Sequence, residues 1–431
     1  MDRDQFFRDD RWTAGVIGLG YVGLPLLLTA VRQGLGGIGF DVSEERVDAL
    51  RAGKSHIDDI SDDELEKALA DGVEFTADPS RLAAADALFI CVPSPLGRNR
   101  QPDLSFIEAA ARTVEEVIRP GQLVALESTS YPGTTEDYIL PAIERAGFRV
   151  DVDDVYLAFS PERVSPGDEL KTGEIPKVIG GVTEISGRIA ASAYGRIVPS
   201  VHVVSSARAA EMSKLVENTY RAVNIGLINE MAQLAHELDI DIWEVIDAAA
   251  TKPFGFQPFF PGPGVGGHCI PLDPQYLSWR AREANFSTRF IDTAEQVNSK
   301  MPSYNATRIS DLLNERGLPV HGTEVLGVGI SYKANIGDDR ESAPLQVLAE
   351  LTRRGANVSV LDPLVGDERI RSHGYQPVGA GDDLSRYAIA VILTDHAGID
   401  YERISGEVPV VYDARGVYRR LGLVFENVIS L

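Results

Sequence analysis

The run Gly18-Leu19-Gly20-Tyr21-Val22-Gly23 constrains this chain more than any other feature. It follows a short apolar segment, residues 14–18, and opens into a helix-like segment, residues 21–33. Three glycines at this spacing serve a strand–turn–helix. Gly18 permits the tight turn, Gly20 lets a pyrophosphate approach the backbone, and Gly23 lets helix and strand pack closely. The helix start adds free N–H groups and a partial positive charge. A second strand-like segment, residues 37–41, ends on Asp41. A carboxylate there accepts from ribose hydroxyls and repels a 2′-phosphate, which favours NAD over NADP. Ser43 reads as the cap of the next helix, residues 44–51. Its Arg46 either flanks the adenosine or is an ordinary surface residue.

Strand-like and helix-like segments keep alternating through the first 160 residues, with strands at 87–92, 123–126 and 155–159 and helices at 104–118 and 135–146. That order predicts a parallel, doubly wound sheet. The texture changes near residue 206. Residues 207–238 form one proline-free amphipathic stretch, with Met212, Leu215, Val216, Tyr220, Val223, Leu227, Ile228, Met231, Leu234 and Leu238 recurring at spacings of three and four. As a helix it would be about 48 Å long at ~1.5 Å per residue. A shorter helix, residues 242–250, follows. Residues 251–274 are so dense in proline and glycine that they read as one long loop, and such loops are usually functional. Alternation resumes with strands at 324–330, 357–361 and 388–393 and a helix at 344–354. Residues 325–362 repeat the strand–helix–strand–Asp order without the glycine fingerprint. The expected fold is α/β: two Rossmann-like doubly wound domains, residues 1–205 and 306–431, joined by a long central helix within a helical segment, residues 206–305.

Composition narrows the partners. Forty-one Lys and Arg stand against 64 Asp and Glu, a net charge of −23, so neither nucleic acid nor an anionic membrane surface is expected. An anionic small molecule in one basic pocket stays compatible. No apolar stretch reaches the ~18 residues of a membrane span, and the charged first twelve residues do not read as a secretory signal. Two cysteines give no disulfide framework and fit a reducing, cytoplasmic setting. No zinc-type spacing of His, Cys and carboxylates appears, so no metal is expected.

Of the two cysteines, Cys91 lies in an apolar strand run and reads as core. Cys269 sits in the flexible loop after Gly266-Gly267-His268, four residues before Asp273. A thiol and a carboxylate in one loop suggest covalent catalysis with water activation, or else a structural thiol and a helix-capping Asp. His268, next to Cys269, is a candidate base, although chain neighbours often point apart. Lys214 and Asn218, four apart on the long helix, share a face that either presents a charge and an amide to one oxygen or lies in solvent.

Taken in order, Gly18 to Gly23, Glu127-Ser128-Thr129, Ser160-Pro161-Glu162-Arg163, the helix from Lys214 to Glu230, Gly266-Gly267-His268-Cys269, Ser331-Tyr332-Lys333 and Asp339-Arg340-Glu341-Ser342 resemble the nucleotide-sugar 6-dehydrogenases that act on UDP-glucose and UDP-N-acetylhexosamines. The resemblance covers nearly the whole chain. It implies an NAD-binding domain, a central helical dimerisation segment and a C-terminal domain for the nucleotide half of the substrate. It also implies a four-electron oxidation of the sugar C6 alcohol to a uronic acid, the kind of step used in polysaccharide biosynthesis. Cys269 would carry a thiohemiacetal and then a thioester, and Lys214 with Asn218 would hold the oxyanion. Asp273 and Thr129 would bind the hydrolytic water, while Glu162 assists hydrolysis. Cofactor contacts would come from Gly18, Gly20, Tyr21, Val22, Gly23, Asp41, Arg46, Ser94, Thr129 and Arg340. Substrate contacts would come from Glu162, Arg163, Val164 and its neighbours to Gly167, Lys214, Asn218, Phe259, Phe260, Gly262, Gly266 and Lys333. Ser94 replaces the family's usual Thr but keeps the hydroxyl. The UDP-glucose enzymes usually carry Lys just before the aspartate, where this chain has Leu272, so the loop is nearer the UDP-N-acetylglucosamine branch; UDP- or dTDP-glucose stays open.

Two other functions compete. A one-step hydroxyacid-type dehydrogenase shares the fingerprint and long helices but needs neither Cys269 nor a second α/β domain. A catalytically dead sensor of NAD or nucleotide sugar would have no reason to keep Cys269, Lys214 and Asp273.

Overall fold

The computed structural model describes residues 2–9, 11–57, 60–95, 97, 101–163, 174–267 and 270–431. Cys269 and His268, and Val164 to Gly167 of the expected substrate stretch, lie outside the described residues. The chain divides into two compact units, residues 1–217 with 275–286, and residues 218–274 with 287–431.

Eight strands build the sheet of the first unit: β1 (Thr13–Ile17), β2 (Gly36–Phe40), β3 (Glu74–Thr76), β4 (Ala87–Ile90), β5 (Leu123–Leu126), β6 (Tyr156–Phe159), β7 (Lys177–Gly181) and β8 (Val201–Val204). Their order is β3-β2-β1-β4-β5-β6-β7-β8, and every pairing is parallel except β6 with β7. Because side chains alternate along a strand, each strand feeds both faces. Leu123 and Ala125 enter one core with Trp12 and Tyr194, whereas Val124 and Leu126 enter the other with Ile107 and Ile143. Both faces are covered, which explains the nearly continuous apolar strands.

The second unit repeats the scheme in six strands: β9 (Glu324–Val328), β10 (Asn357–Leu361), β11 (Gln376–Pro377), β12 (Ile389–Ile392), β13 (Val411–Asp413) and β14 (Val428–Ser430), in the order β11-β10-β9-β12-β13-β14, all parallel. The two expected doubly wound domains are therefore present. Each sheet reverses its strand order beside its first strand, and ligands of open α/β sheets bind at such switch points.

The helix Ala207–Glu237 is unbroken and runs from the first unit into the second. Its pattern differs from a simple apolar-in arrangement. Glu211, Lys214, Asn218 and Asn229 are buried, while Met212, Val216, Tyr220, Leu227 and Leu234 are exposed. Three other expectations need correction. The helix expected at 21–33 is Gly23–Arg32, because Tyr21 and Val22 are still in the turn, and a helix not expected from the sequence, Arg3–Asp9, precedes it. The expected helix at 135–146 opens as a wide π turn, Thr135–Ile139, before Leu140–Arg145; Pro141 lacks an N–H and crowds the carbonyl four residues back, which a widened turn relieves. The proline-rich loop ends two residues early, since the helix Asp273–Glu283 starts at Asp273. Pro274 is tolerated there because a first-turn N–H has no partner within the helix.

Candidate active site

At the first switch point the three fingerprint glycines do three different jobs. Gly18 has φ +94°, and a Cβ there would lie 2.8 Å from the Cys91 carbonyl oxygen, so the turn is wedged against the end of β4. A Cβ on Gly23 would lie 1.9 Å from the Gly18 oxygen. On Gly20 it would meet nothing within 4 Å. Two glycines are thus required by the protein itself, and Gly20 keeps backbone bare toward open space. That is the cradle a pyrophosphate needs, so these residues fit a dinucleotide.

Asp41 stands just beyond β2 and is buried. Its Oδ2 accepts from the Leu19 amide at 2.9 Å and from Arg46 Nη1 at 2.8 Å, and its Oδ1 accepts from the Ser43 amide at 3.0 Å. Burial pushes its pKa up, but the two amides and the guanidinium outweigh it and hold the carboxyl below its ordinary value. Asp41 therefore stays ionised while bracing the glycine turn. Ser43 caps its helix as expected. Tyr21 is half exposed beside the turn. Ser94 is half-buried, and its carbonyl accepts from Tyr276 Oη at 2.6 Å. Cys91 is buried in the core, and burial raises its thiol well above its ordinary value.

Beyond β5 and β6 the chain places Glu127, Thr129 and Glu162. Ser128 Oγ donates to the Val92 carbonyl at 2.7 Å, fixing the turn in which Thr129 lies half-buried. Lys177 Nζ donates to Glu127 at 2.6 Å and to Glu162 at 2.9 Å. Glu127 also accepts from Tyr194 Oη at 2.6 Å. Burial raises the Glu127 pKa and opposes charge on Lys177, but the two carboxylates hold the ammonium above a normal lysine. Arg163 reaches Glu217 at 2.8 Å and the Pro176 carbonyl at 3.1 Å.

The long helix carries the next groups on one buried stripe. Glu211 accepts from the amides of Gly133 and Thr135 at 2.5 and 2.9 Å and from Thr135 Oγ1 at 2.7 Å, which ties the helix start beneath the Thr135 turn. Burial nonetheless pushes its pKa up to about 7. Lys214 is buried within the first unit. Asn218, only 1% exposed, donates through Nδ2 to Asp273 and accepts from Arg221 at 2.9 Å. Lys214 and Asn218 are thus no solvated flank, and Asp273, the first residue of its helix, is a buried partner of Asn218.

In the second unit, Phe259 lies edge-on to Tyr220 and Phe260 stacks on Trp243. The Gly262 amide donates to Asn229 at 3.1 Å, and a Cβ there would sit 2.7 Å from an Arg415 nitrogen. A Cβ on Gly266 would strike the Glu341 carbonyl at 2.8 Å. Lys333 is half-buried in the loop after β9, at the second switch point. That loop copies the first. The Ile330 amide donates to Asp362 at 2.8 Å, as Leu19 does to Asp41. Here, however, the carboxylate meets buried His396 rather than a surface arginine. Arg340 is exposed and paired with Asp338 at 2.5 Å.

Sequence reasoning passed over Lys177, Tyr194, Glu211 and His396. Lys177 heads an apolar run and Glu211 interrupts an apolar helix face; a charge in such a setting was the available signal.

Comparison with known proteins agrees with this geometry. Residues 13–198 match the NAD binding domain of the UDP-glucose/GDP-mannose dehydrogenase family, residues 208–300 its central domain and residues 326–420 its UDP binding domain. The chain is 36% identical to an NDP-N-acetyl-D-galactosaminuronic acid dehydrogenase of Ralstonia nicotianae, covering 94% of this chain and 96% of the relative. It is 35% identical to a UDP-N-acetyl-D-glucosamine 6-dehydrogenase of Pseudomonas aeruginosa, covering 84% and 86%. The solved UDP-D-ManNAc dehydrogenase of Pyrococcus horikoshii superimposes with a TM-score of 0.84 at 32% identity, over 97% of this chain and 98% of that one. Among the described residues no helix is long and apolar enough to cross a membrane. With all three domain types in order along it, this chain belongs to the UDP-glucose/GDP-mannose dehydrogenase family and is an NAD-dependent nucleotide-sugar dehydrogenase.

Proposed function

We propose that the enzyme oxidises the C6 alcohol of a UDP-N-acetylhexosamine to the carboxylate through a thiohemiacetal and a thioester on Cys269. NAD, when bound, accepts the hydride in each of the two oxidations. The fingerprint from Gly18 to Gly23, with Asp41 and Arg46, holds the cofactor, and Ser94, Thr129 and Arg340 add contacts. The Cys269 thiol adds across the C6 aldehyde, so the reactive intermediate stays bound, and Lys214 favours the thiolate form. Lys214 and Asn218 donate to the oxygen on which charge develops. Water then attacks the thioester carbon, the C–S bond breaks and the acid leaves; Asp273 and Thr129 hold that water and Glu162 takes its proton. Arg163, Val164, Phe259, Phe260, Gly262, Gly266 and Lys333 line the nucleotide-sugar side.

The observation that carries this reading is the buried Asn218–Asp273 hydrogen bond. The bond sets Asn218 of the long helix against Asp273, four residues after Cys269 in sequence, so two of the expected catalytic groups share one buried contact. For the sugar, support comes from Leu272 in place of a lysine and from relatives named for N-acetylated sugars. The exposed stripe of Met212, Val216, Tyr220, Leu227 and Leu234 supports a homodimer through the long helix. The cysteine usage supports a cytoplasmic setting. Counting NADH per sugar consumed, across a panel of UDP- and dTDP-sugars, tests the reading. Two per UDP-N-acetylhexosamine is expected; one per sugar overturns the thioester route, and a preference for UDP-glucose overturns the substrate.

A further inference from the structure

The antiparallel pairing of β6 with β7 breaks an otherwise parallel sheet, and its chemical consequence is local. Ala158 pairs with Gly181 and Phe159 with Gly180. Carried three residues further, the same register sets Glu162 opposite Lys177. In a parallel strand the first residue would stand at the amino edge of the sheet, away from the ligand side. Reversal instead delivers Lys177, the first residue of β7, to the carboxyl edge, where Glu162 follows β6.

The lysine is held there at a cost. It is 2% exposed, and its ammonium bridges Glu127 at 2.6 Å and Glu162 at 2.9 Å. Glu127, 1% exposed, is held in turn by Tyr194 Oη at 2.6 Å, from the helix Glu184–Tyr194. One Glu162 oxygen faces Lys177 and the other accepts from the Arg163 amide at 2.8 Å. Among the described residues, the ionisable groups around the ammonium are Glu127, Glu162, Tyr194 and, from the end of β4, Cys91. Buried ion pairs are poor sources of stability compared with apolar packing. A site that needs one carboxylate fixed and ionised has a use for one.

We propose that Lys177 is a positioning residue for acid release: clamped by Glu127 and Tyr194, it holds the Glu162 carboxylate ionised and aimed at the water that cleaves the thioester. This rests on the role given to Glu162 above. In that step a C–O bond forms from water to the acyl carbon, one water proton passes to Glu162, and the C–S bond breaks with its electron pair returning to Cys269. Lys177 touches neither acyl group nor water. It acts through the carboxylate, so its loss should slow hydrolysis and leave the two earlier oxidations intact.

The test is pre-steady-state NADH formation by the full-length enzyme, with acid-quench mass spectrometry of Cys269. Lys177→Met is expected to give a burst approaching two NADH per site, followed by turnover slowed about 10- to 100-fold, the range expected when a positioned acid–base group loses its support. A thioester adduct should accumulate on Cys269, and the alkaline gain in the hydrolytic rate should move upward in pH. Lys177→Arg should restore most of the rate, since a guanidinium can bridge two carboxylates. Because the single variant strands Glu127 in the core, Glu127→Gln with Lys177→Met is made alongside it and should show the same burst. If both methionine variants turn over at the normal rate with an unmoved pH profile, or lose the burst together with turnover, the proposal fails. Glu162→Gln separates the two readings. A burst there but not in the Lys177 variants overturns Lys177 alone, whereas unchanged hydrolysis in Glu162→Gln overturns the role of Glu162 and the proposal with it.

Discussion

Gly20 and Gly23 stand three residues apart in one motif, yet adding a methyl group to each should have opposite effects. On Gly23 the new carbon would lie 1.9 Å from the Gly18 carbonyl oxygen and 2.9 Å from a Val16 methyl. A carbon–oxygen contact needs about 3.2 Å, so helix and turn must separate by roughly 1.3 Å, in a core where such overpacking costs ~1–3 kcal/mol or more. At ~2–4 °C per kcal/mol for a unit of this size, Gly23→Ala should lower the melting temperature of the NAD-binding unit by about 2–12 °C. Gly20 has nothing within 4 Å of the added carbon, and its φ is not among the positive values. Gly20→Ala should therefore melt within ~0.5 kcal/mol of the wild type, or slightly higher, since alanine has less unfolded-chain entropy to lose. Its methyl group, however, projects where the pyrophosphate must come close, and NAD affinity should fall about tenfold or more, ~1.4 kcal/mol. Thermal melts with and without NAD, together with calorimetric titration, read both quantities. Normal NAD affinity in Gly20→Ala would refute the cradle, and an unchanged melt in Gly23→Ala would refute the packing argument.

Asp41→Ser should raise the NADP-to-NAD ratio of kcat/KM by at least about tenfold by removing the repulsion toward a 2′-phosphate, while weakening NAD itself because the Leu19 amide loses its acceptor; an unchanged ratio would show that Asp41 does not face the ribose. In the second unit, burial opposes the Asp362 charge, but the His396 and Ile330 hydrogen bonds outweigh it and set its pKa at about 2. A depressed carboxyl stabilises above its unfolded value of 3.8 and stops doing so as pH falls through the folded value. Asp362→Asn should thus cost on the order of 2 kcal/mol at neutral pH, with the gap to wild type closing between pH 4 and pH 2; a gap constant in acid would contradict this. Replacing Leu227 and Leu234, 53% and 49% exposed, by Glu should yield monomers by light scattering with the fold intact by circular dichroism. Wild type running at one chain's mass, 46.7 kDa, would end the dimer reading.

Much of the fold was legible because two physical signals are local. Strands buried on both faces must be apolar throughout, so β5 could be bounded to the residue from the sequence. Ser43 and the first-turn glutamates bound their helix in the same way. Pairing partners are not local. β7 and β8 carry no mark of their reversed direction, and Lys177 looks like any charged strand residue until the antiparallel register brings Glu162 opposite it. Capping of one element by another is equally hidden: nothing near Glu211 in sequence says that its carboxylate will close the amides of Gly133 and Thr135.

The long helix shows how a correct periodicity can carry two meanings. Its apolar residues recur at helical spacing, which establishes a helix, and the usual inference is that the apolar stripe faces the core. Here the buried side is built of small residues and one leucine, Ala207, Ala210, Leu215, Ala222, Ala232 and Ala235, with Glu211, Lys214, Asn218 and Asn229 set among them, while Met212, Val216, Tyr220, Leu227 and Leu234 are exposed. Each of the four buried polar side chains must recover hydrogen bonds lost to water. Glu211 recovers three, Asn218 binds Asp273 and Arg221, and Asn229 binds Asn298 and the Gly262 amide. Two of the four thus fix loop backbone, Glu211 at Gly133 and Asn229 at Gly262, and Asn218 holds the first residue of the helix Asp273–Glu283. A helix that buries four polar groups among small residues and leaves large apolar side chains outside gives up apolar burial within one chain, which is why the proposed dimer is tested on Leu227 and Leu234.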